Sequence, residues 1–133
     1  MGLNNHAQIR SLWNYYYHQG NTKKTLEISE DSLFNNQYWH RTLTYAQLGN
    51  RRKVDSMNKK YPWGTGNMND WRARRAILNA IFKDTDSMYF YLENMISNGW
   101  KKKVNASREF DPYRNEERFK AFLRKSYLPV PGE

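Results

Sequence analysis

Apolar residues along this chain recur at helical spacing, and polar pairs interrupt them at regular points. Ile9, Leu12, Trp13 and Tyr16 fall at i, i+3, i+4 and i+7, so the spacing predicts one helix over Ala7–His18. It ends at Gly20-Asn21, a residue suited to the left-handed helix end followed by an N-cap type. A second helix, from Thr22 to about Leu33, turns Leu26, Leu33 and small Ser positions inward. Tyr38, Thr42 and Tyr45, flanked by Trp39, Leu43 and Ala46, line the next helix, which ends at Gly49-Asn50. Its partner carries Val54, Met57 and Tyr61 and is closed by Pro62 in the turn Pro62-Trp63-Gly64-Thr65-Gly66. A third pair opens near Asn69-Asp70, with Ala73, Ala76, Ile77, Ala80 and Ile81 on one face. It breaks at Lys83-Asp84, where Asp84 or Thr85 caps a helix holding Met88, Tyr89, Leu92, Met95 and Ile96, and Asn98-Gly99 ends that helix.

The expectation is an all-α chain of three helix–turn–helix hairpins, at about 7–34, 36–62 and 69–99, within a single domain spanning 1–133. The turns at 20–21, 49–50 and 83–84 are separated by 29 and then 34 residues. Hairpins this short cannot bury their apolar faces alone, so they must stack, and an α-solenoid follows; an irregular helical bundle is the alternative. The segment 100–133 reads differently. Lys101-Lys102-Lys103 leads to Phe110-Asp111-Pro112-Tyr113-Arg114, then to a short helix from Asn115 to about Lys125 with Phe119, Phe122 and Leu123 on one face. Packed on residues 88–96, that helix would cap the last hairpin.

Composition supports helices over sheets. Leu, Ile, Val and Phe number 24 of 133 residues, and Val and Ile only eight of them, too few branched residues for an extended sheet. Five Trp and ten Tyr compensate, since each ring buries about 150–250 Å². Cysteine is absent, which removes disulfides, thiolate metal sites and a Cys nucleophile. No apolar run is long enough to span a bilayer and no signal-peptide pattern opens the chain, so a cytoplasmic location with no membrane partner is expected.

These residues resemble a tetratricopeptide-repeat (TPR) protein. The likeness rests on the 34-residue interval, on Tyr45-Ala46 before Leu48-Gly49-Asn50, and on the helix-ending Pro62. It rests equally on Trp100, Phe110-Asp111-Pro112-Tyr113-Arg114, Phe119, Leu123 and Leu128-Pro129, which are similar to the closing segment of many bacterial TPR proteins. Trp13 and Thr42 depart from the small residues the family places between helices, as do Thr25, Val54 and Met88 from its packing alanine. The resemblance implies a non-enzymatic scaffold whose concave face, lined by the first helix of each pair, grips a protein or peptide. In bacteria such a closing segment often follows a DNA-binding, cyclase or kinase domain.

No catalytic constellation emerges. His6, His18 and His40 are scattered, Gly64-Thr65-Gly66 lacks a phosphate-loop pattern, and Glu116-Glu117 suit the positive end of a helix; neither a metal nor a cofactor is expected. Arg10, Asn14 and Tyr17 make a polar stripe at i, i+4 and i+7, and with Trp39, Leu43 and Arg74 they form the candidate partner groove. Arg10 and Asn14 resemble the basic-plus-Asn pair by which some TPR proteins hold a peptide carboxylate, whereas His40 and Asp70 depart from that clamp.

The net charge is +9, of which residues 51–75 carry +6. Arg51, Arg52 and Lys53, together with Arg72 and Arg75, sit at predicted helix beginnings, where the dipole disfavours cations, and are the candidate anion-binding residues. Arg72, Arg75, Asn79 and Lys83 form one polar stripe, read either as a solvated face or as an anion site. Two alternatives to a peptide scaffold therefore stand. One is a basic helical repeat that docks on RNA, with exposed rings among Tyr17, Trp39, Tyr61, Trp63 and Trp71 stacking on bases. The other is a self-associating regulatory module in which Ile9 and Trp13 are covered by a second copy.

Overall fold

The computed structural model describes residues 6–34, 37–60 and 68–133. Among them there is no strand. The α-helices are α1 (His6–His18), α2 (Thr22–Ser29), α3 (Tyr38–Gln47), α4 (Arg51–Lys60), α5 (Met68–Ile81), α6 (Thr85–Glu93), α7 (Asn98–Asn105) and α8 (Glu117–Lys125), with 3-10 turns at Ser32–Phe34 and Arg108–Tyr113. Tyr61, Pro62, Trp63 and the Gly64-Thr65-Gly66 turn lie outside the described residues. Two compact units result, Met1–Pro62 and Trp63–Glu133.

The three hairpins form where the polar pairs predicted them, and their turns share one backbone geometry. Gly20, Gly49 and Lys83 adopt φ of 73°, 73° and 62°. Their amides bond back to the carbonyls of Tyr17, Ala46 and Ala80, while those of Asn21, Asn50 and Asp84 reach Tyr16, Tyr45 and Asn79 at 2.9–3.0 Å. This arrangement satisfies carbonyls that a helix end leaves without partners. The following side chain then caps the next helix: Asn21 accepts from Lys24 N–H, Asn50 from Lys53 N–H and Asp84 from Ser87 N–H. Tyr127, at φ 57°, closes α8 in the same way, with the Leu128 amide on the Leu123 carbonyl at 2.9 Å, but Pro129 follows and no helix begins.

In the first unit α1 packs on α2, α2 on α3 and α3 on α4. Its core is aromatic. The Trp13 ring stacks on Tyr17 at 4.5 Å and meets His40 edge-on at 4.7 Å, and its indole N–H donates to Thr44 Oγ1 at 2.9 Å. Buried hydroxyls are satisfied within their own helices: Thr42 donates to the Tyr38 carbonyl, Thr25 to Thr22, and Ser29 to Leu26. A buried Thr thus sits between helices without leaving a polar atom unpaired.

Two expectations change here. The inward seam of α1 runs Ile9, Trp13, Tyr17, with Leu12 and Tyr16 only half-buried. Ile9 and Trp13 are each 2% exposed within the chain, so they offer nothing for a second copy to cover.

The second unit is built on alanines. Ala73, Ala76 and Ala80 let α5 approach α6 closely, against Met88, Tyr89 and Leu92. The α7 helix and the 3-10 turn at Arg108–Tyr113 also pack on α5, and α8 packs on α6 as the sequence predicted, burying Phe119, Phe122 and Leu123. The stretch around Asn98-Gly99 differs from its reading. The α6 helix stops at Glu93, and Ser97 then caps α7 by accepting the Trp100 N–H. Lys101–Lys103 therefore lie inside a helix instead of following one, and Ile96, in the link between α6 and α7, is 73% exposed.

Candidate functional site

Of the candidate groove, Arg10 and Asn14 lie exposed on α1 and Trp39 is half-buried on α3. Tyr17 and Leu43 do not join them. They are 5% and 6% exposed, because Tyr17 stacks on Trp13 and receives the Gln47 amide on its hydroxyl, and Leu43 faces the first unit's core. Arg74 is half-buried on α5, in the second unit. His40 makes edge-on ring contacts with Trp13 and Phe34. The groove reading thus keeps Arg10, Asn14 and Trp39 on one unit and Arg74 on the other. The side chains of Asp70 and Trp71 lie outside the described residues.

The anion-binding candidates divide by element. Arg51, Arg52 and Lys53 make up the first turn of α4, are all exposed, and have no acidic residue among them. Lys53 Nζ rests 4.8 Å over the Tyr45 ring while its amide is capped by Asn50, so the turn holds its cations against the unfavourable end of the dipole by local contacts. Arg72 and Arg75 are half-buried on α5. Asn79, from the same stripe, donates its amide to the Arg75 carbonyl and is spent within its own helix. Among the described residues, two buried side-chain nitrogens lack a hydrogen-bond partner, Arg41 Nε and Arg75 Nε. Each lies eight positions before the left-handed turn residue of its hairpin, Gly49 or Lys83. Sequence spacing alone could have marked that correspondence.

Around the closing segment, one guanidinium and two phenols hold the elements together in ways that the sequence did not disclose. Arg114 is a hub: Nε donates to Asp111 Oδ1 at 2.8 Å, Nη1 to Asn105 Oδ1 at 2.9 Å, and Nη2 to the carbonyls of Asn105 (2.6 Å) and Ser107 (3.0 Å). Tyr113 donates to the Ala80 carbonyl at 2.7 Å and so completes the end of α5. Tyr89 donates to Glu116 Oε1 at 2.6 Å. Burial first, then that bond to the carboxylate, pushes the Tyr89 phenol far above its ordinary range, and burial raises Tyr113 too. Arg118 grips Glu93 with two bonds of 2.9 and 2.8 Å, which hold the Glu93 carboxyl below its usual value, and its guanidinium lies 4.7 Å over the Tyr89 ring.

Among the described residues no three His, Asp or Glu side chains gather in a way that could hold a metal. Among the described residues no helix is long and apolar enough to cross a membrane. What these surfaces offer chemically is cationic: guanidinium and ammonium groups beside aromatic rings, on rigid helices. Comparison of the chain with protein-family models, curated proteins and solved structures gives no match.

Proposed function

We propose that the chain is a non-catalytic TPR-like helical-repeat module, its three hairpins stacked as a solenoid, that binds a protein or peptide along the first helices of its hairpins. One observation carries this reading: the three turns at 20–21, 49–50 and 83–84 each place a residue in the left-handed region, make the same two back-bonds and cap the next helix with the side chain that follows. Backbone geometry recurring at intervals of 29 and 34 residues supports a repeated hairpin unit. Arg10, Asn14 and Trp39, all on the first unit, are the contact residues. An acidic partner suits the net charge of +9.

Selection from a displayed peptide library, followed by calorimetry on the full chain, tests this. Enriched peptides should be acidic, and replacing Arg10, Asn14 and Trp39 together by Ala should weaken them at least about tenfold with unchanged circular dichroism. Failure of any sequence to enrich would sink the reading. The exposed Arg51-Arg52-Lys53 turn supports a second reading, docking on RNA. Its signature is an affinity for a single-stranded oligonucleotide whose logarithm falls linearly with log salt, at a slope of about −0.7 per phosphate neutralised.

A further inference from the structure

A cleft opens in the second unit where α6, α7 and α8 meet. Leu92 and Phe122 form its floor, Ala121 one wall, and Lys101 and Lys125 its rim. The polar atoms inside it are already committed. Ser126 Oγ donates to the Phe122 carbonyl, and Glu93 is held by both arms of Arg118. With Glu93 thus neutralised, the remaining rim charge is that of two lysines, neither of which forms an ion pair among the described residues.

Size narrows the occupant. The cavity measures about 80 Å³. That is room for several waters, and it admits one branched aliphatic side chain with clearance. An apolar hole with a cationic rim suits a ligand that is apolar at its tip and anionic beside it. A nucleic acid offers the negative charge but no aliphatic tip, and a neutral apolar segment gains nothing from the two ammonium groups.

We propose that this cleft is a docking site for an acidic linear peptide, which inserts a single Leu, Ile or Val side chain over Leu92 and Phe122 and sets flanking carboxylates on Lys101 and Lys125. The site is built from the second unit alone and stands independently of the groove formed by Arg10, Asn14 and Trp39. Its anchor is the inserted side chain, and the lysines supply charge selection and rate of encounter.

The test is an NMR titration of the full chain with the synthetic peptide acetyl-Asp-Glu-Leu-Glu-Asp-amide, alongside versions with Gly at the centre and with Gln and Asn at the acidic positions. Shifts should centre on Leu92, Ala121, Phe122 and Ser126. The Gly peptide should bind at least tenfold more weakly, and the uncharged peptide likewise. Ala121→Trp, which blocks the wall from an exposed position, should abolish binding. Lys101→Gln with Lys125→Gln should weaken the parent peptide about tenfold and flatten its salt dependence, and these two positions serve if the Trp variant does not fold. Equal binding of the Leu and Gly peptides, shifts confined to α1 and α3, or no binding at millimolar peptide would each overturn the proposal.

Discussion

Arg114 shows how much one side chain can hold in a chain poor in aliphatics. Its guanidinium ties the end of α7 (Asn105) to the following turn (Ser107, Asp111) through four bonds, two of them to backbone carbonyls. A planar fork serves this geometry, and a lysine cannot reach four acceptors in these directions. Arg114→Ala should lower the unfolding free energy by about 2–3 kcal/mol, the range of a lost charge-assisted bond plus stranded acceptors, and Arg114→Lys should recover little of it. Urea denaturation followed by circular dichroism measures both. A substitution without effect would show that solvent replaces the hub.

At the level of elements, the turns were readable because each carries its own chemistry. Gly-Asn twice and Lys-Asp once pair a left-handed position with an N-cap, and local bonds then decide the outcome without help from the rest of the chain. The two residue types at that position make opposite predictions. A Cβ on Gly49 meets nothing within 4 Å, so Gly49→Ala incurs only the left-handed backbone penalty of about 1–2 kcal/mol and should destabilise. Lys83 already bears that penalty, so Lys83→Gly should raise the melting temperature, less the entropic cost of glycine at about 0.5–1 kcal/mol. Thermal melts of the pair test the sign, and a shift in the same direction for both would contradict the shared geometry. The start of α7 was not readable. Asn98-Gly99 reads as a helix end, yet Ser97 captures the Trp100 amide and Lys103 lies 4.4 Å over the Trp100 ring, contacts that outweigh a glycine in the first turn. The last ring of the α1 seam, Tyr17 where Tyr16 was expected, was missed for a related reason. Tyr16 and Tyr17 are alike in sequence, and only the Trp13 stack and the Gln47 bond decide which ring is buried.

For the whole molecule, pH dependence follows from groups the sequence could not rank. The fold favours the neutral phenol of Tyr89, so its contribution is fully present below the ordinary value of 10.0 and is lost as pH rises beyond it. Glu93 works in reverse: held below its ordinary 4.5, it contributes above that value and the contribution is lost as pH falls past it, shallowly because the pair is exposed. Denaturation midpoints should therefore hold level from about pH 5 to 10 and fall on both sides, and Tyr89→Phe should flatten the alkaline limb. The candidate site was less legible than the fold. Arg10 and Asn14 are exposed and Trp39 half-buried, but Tyr17 and Leu43 went to the core, since helical spacing does not separate a groove wall from a buried seam in a chain this rich in rings. The cleft of α6, α7 and α8 joins residues as far apart as Leu92 and Ser126 and left no local trace. The Tyr113 bond to the Ala80 carbonyl spans 33 positions, and it has a consequence for biosynthesis. At about 5–20 residues per second, a ribosome delivers Ala80 some two to seven seconds before Tyr113. Through that interval the Ala80 carbonyl keeps only the Lys83 amide, and the greasy flank of the hairpin waits for Phe119, Phe122 and Leu123 to be synthesised and cover it.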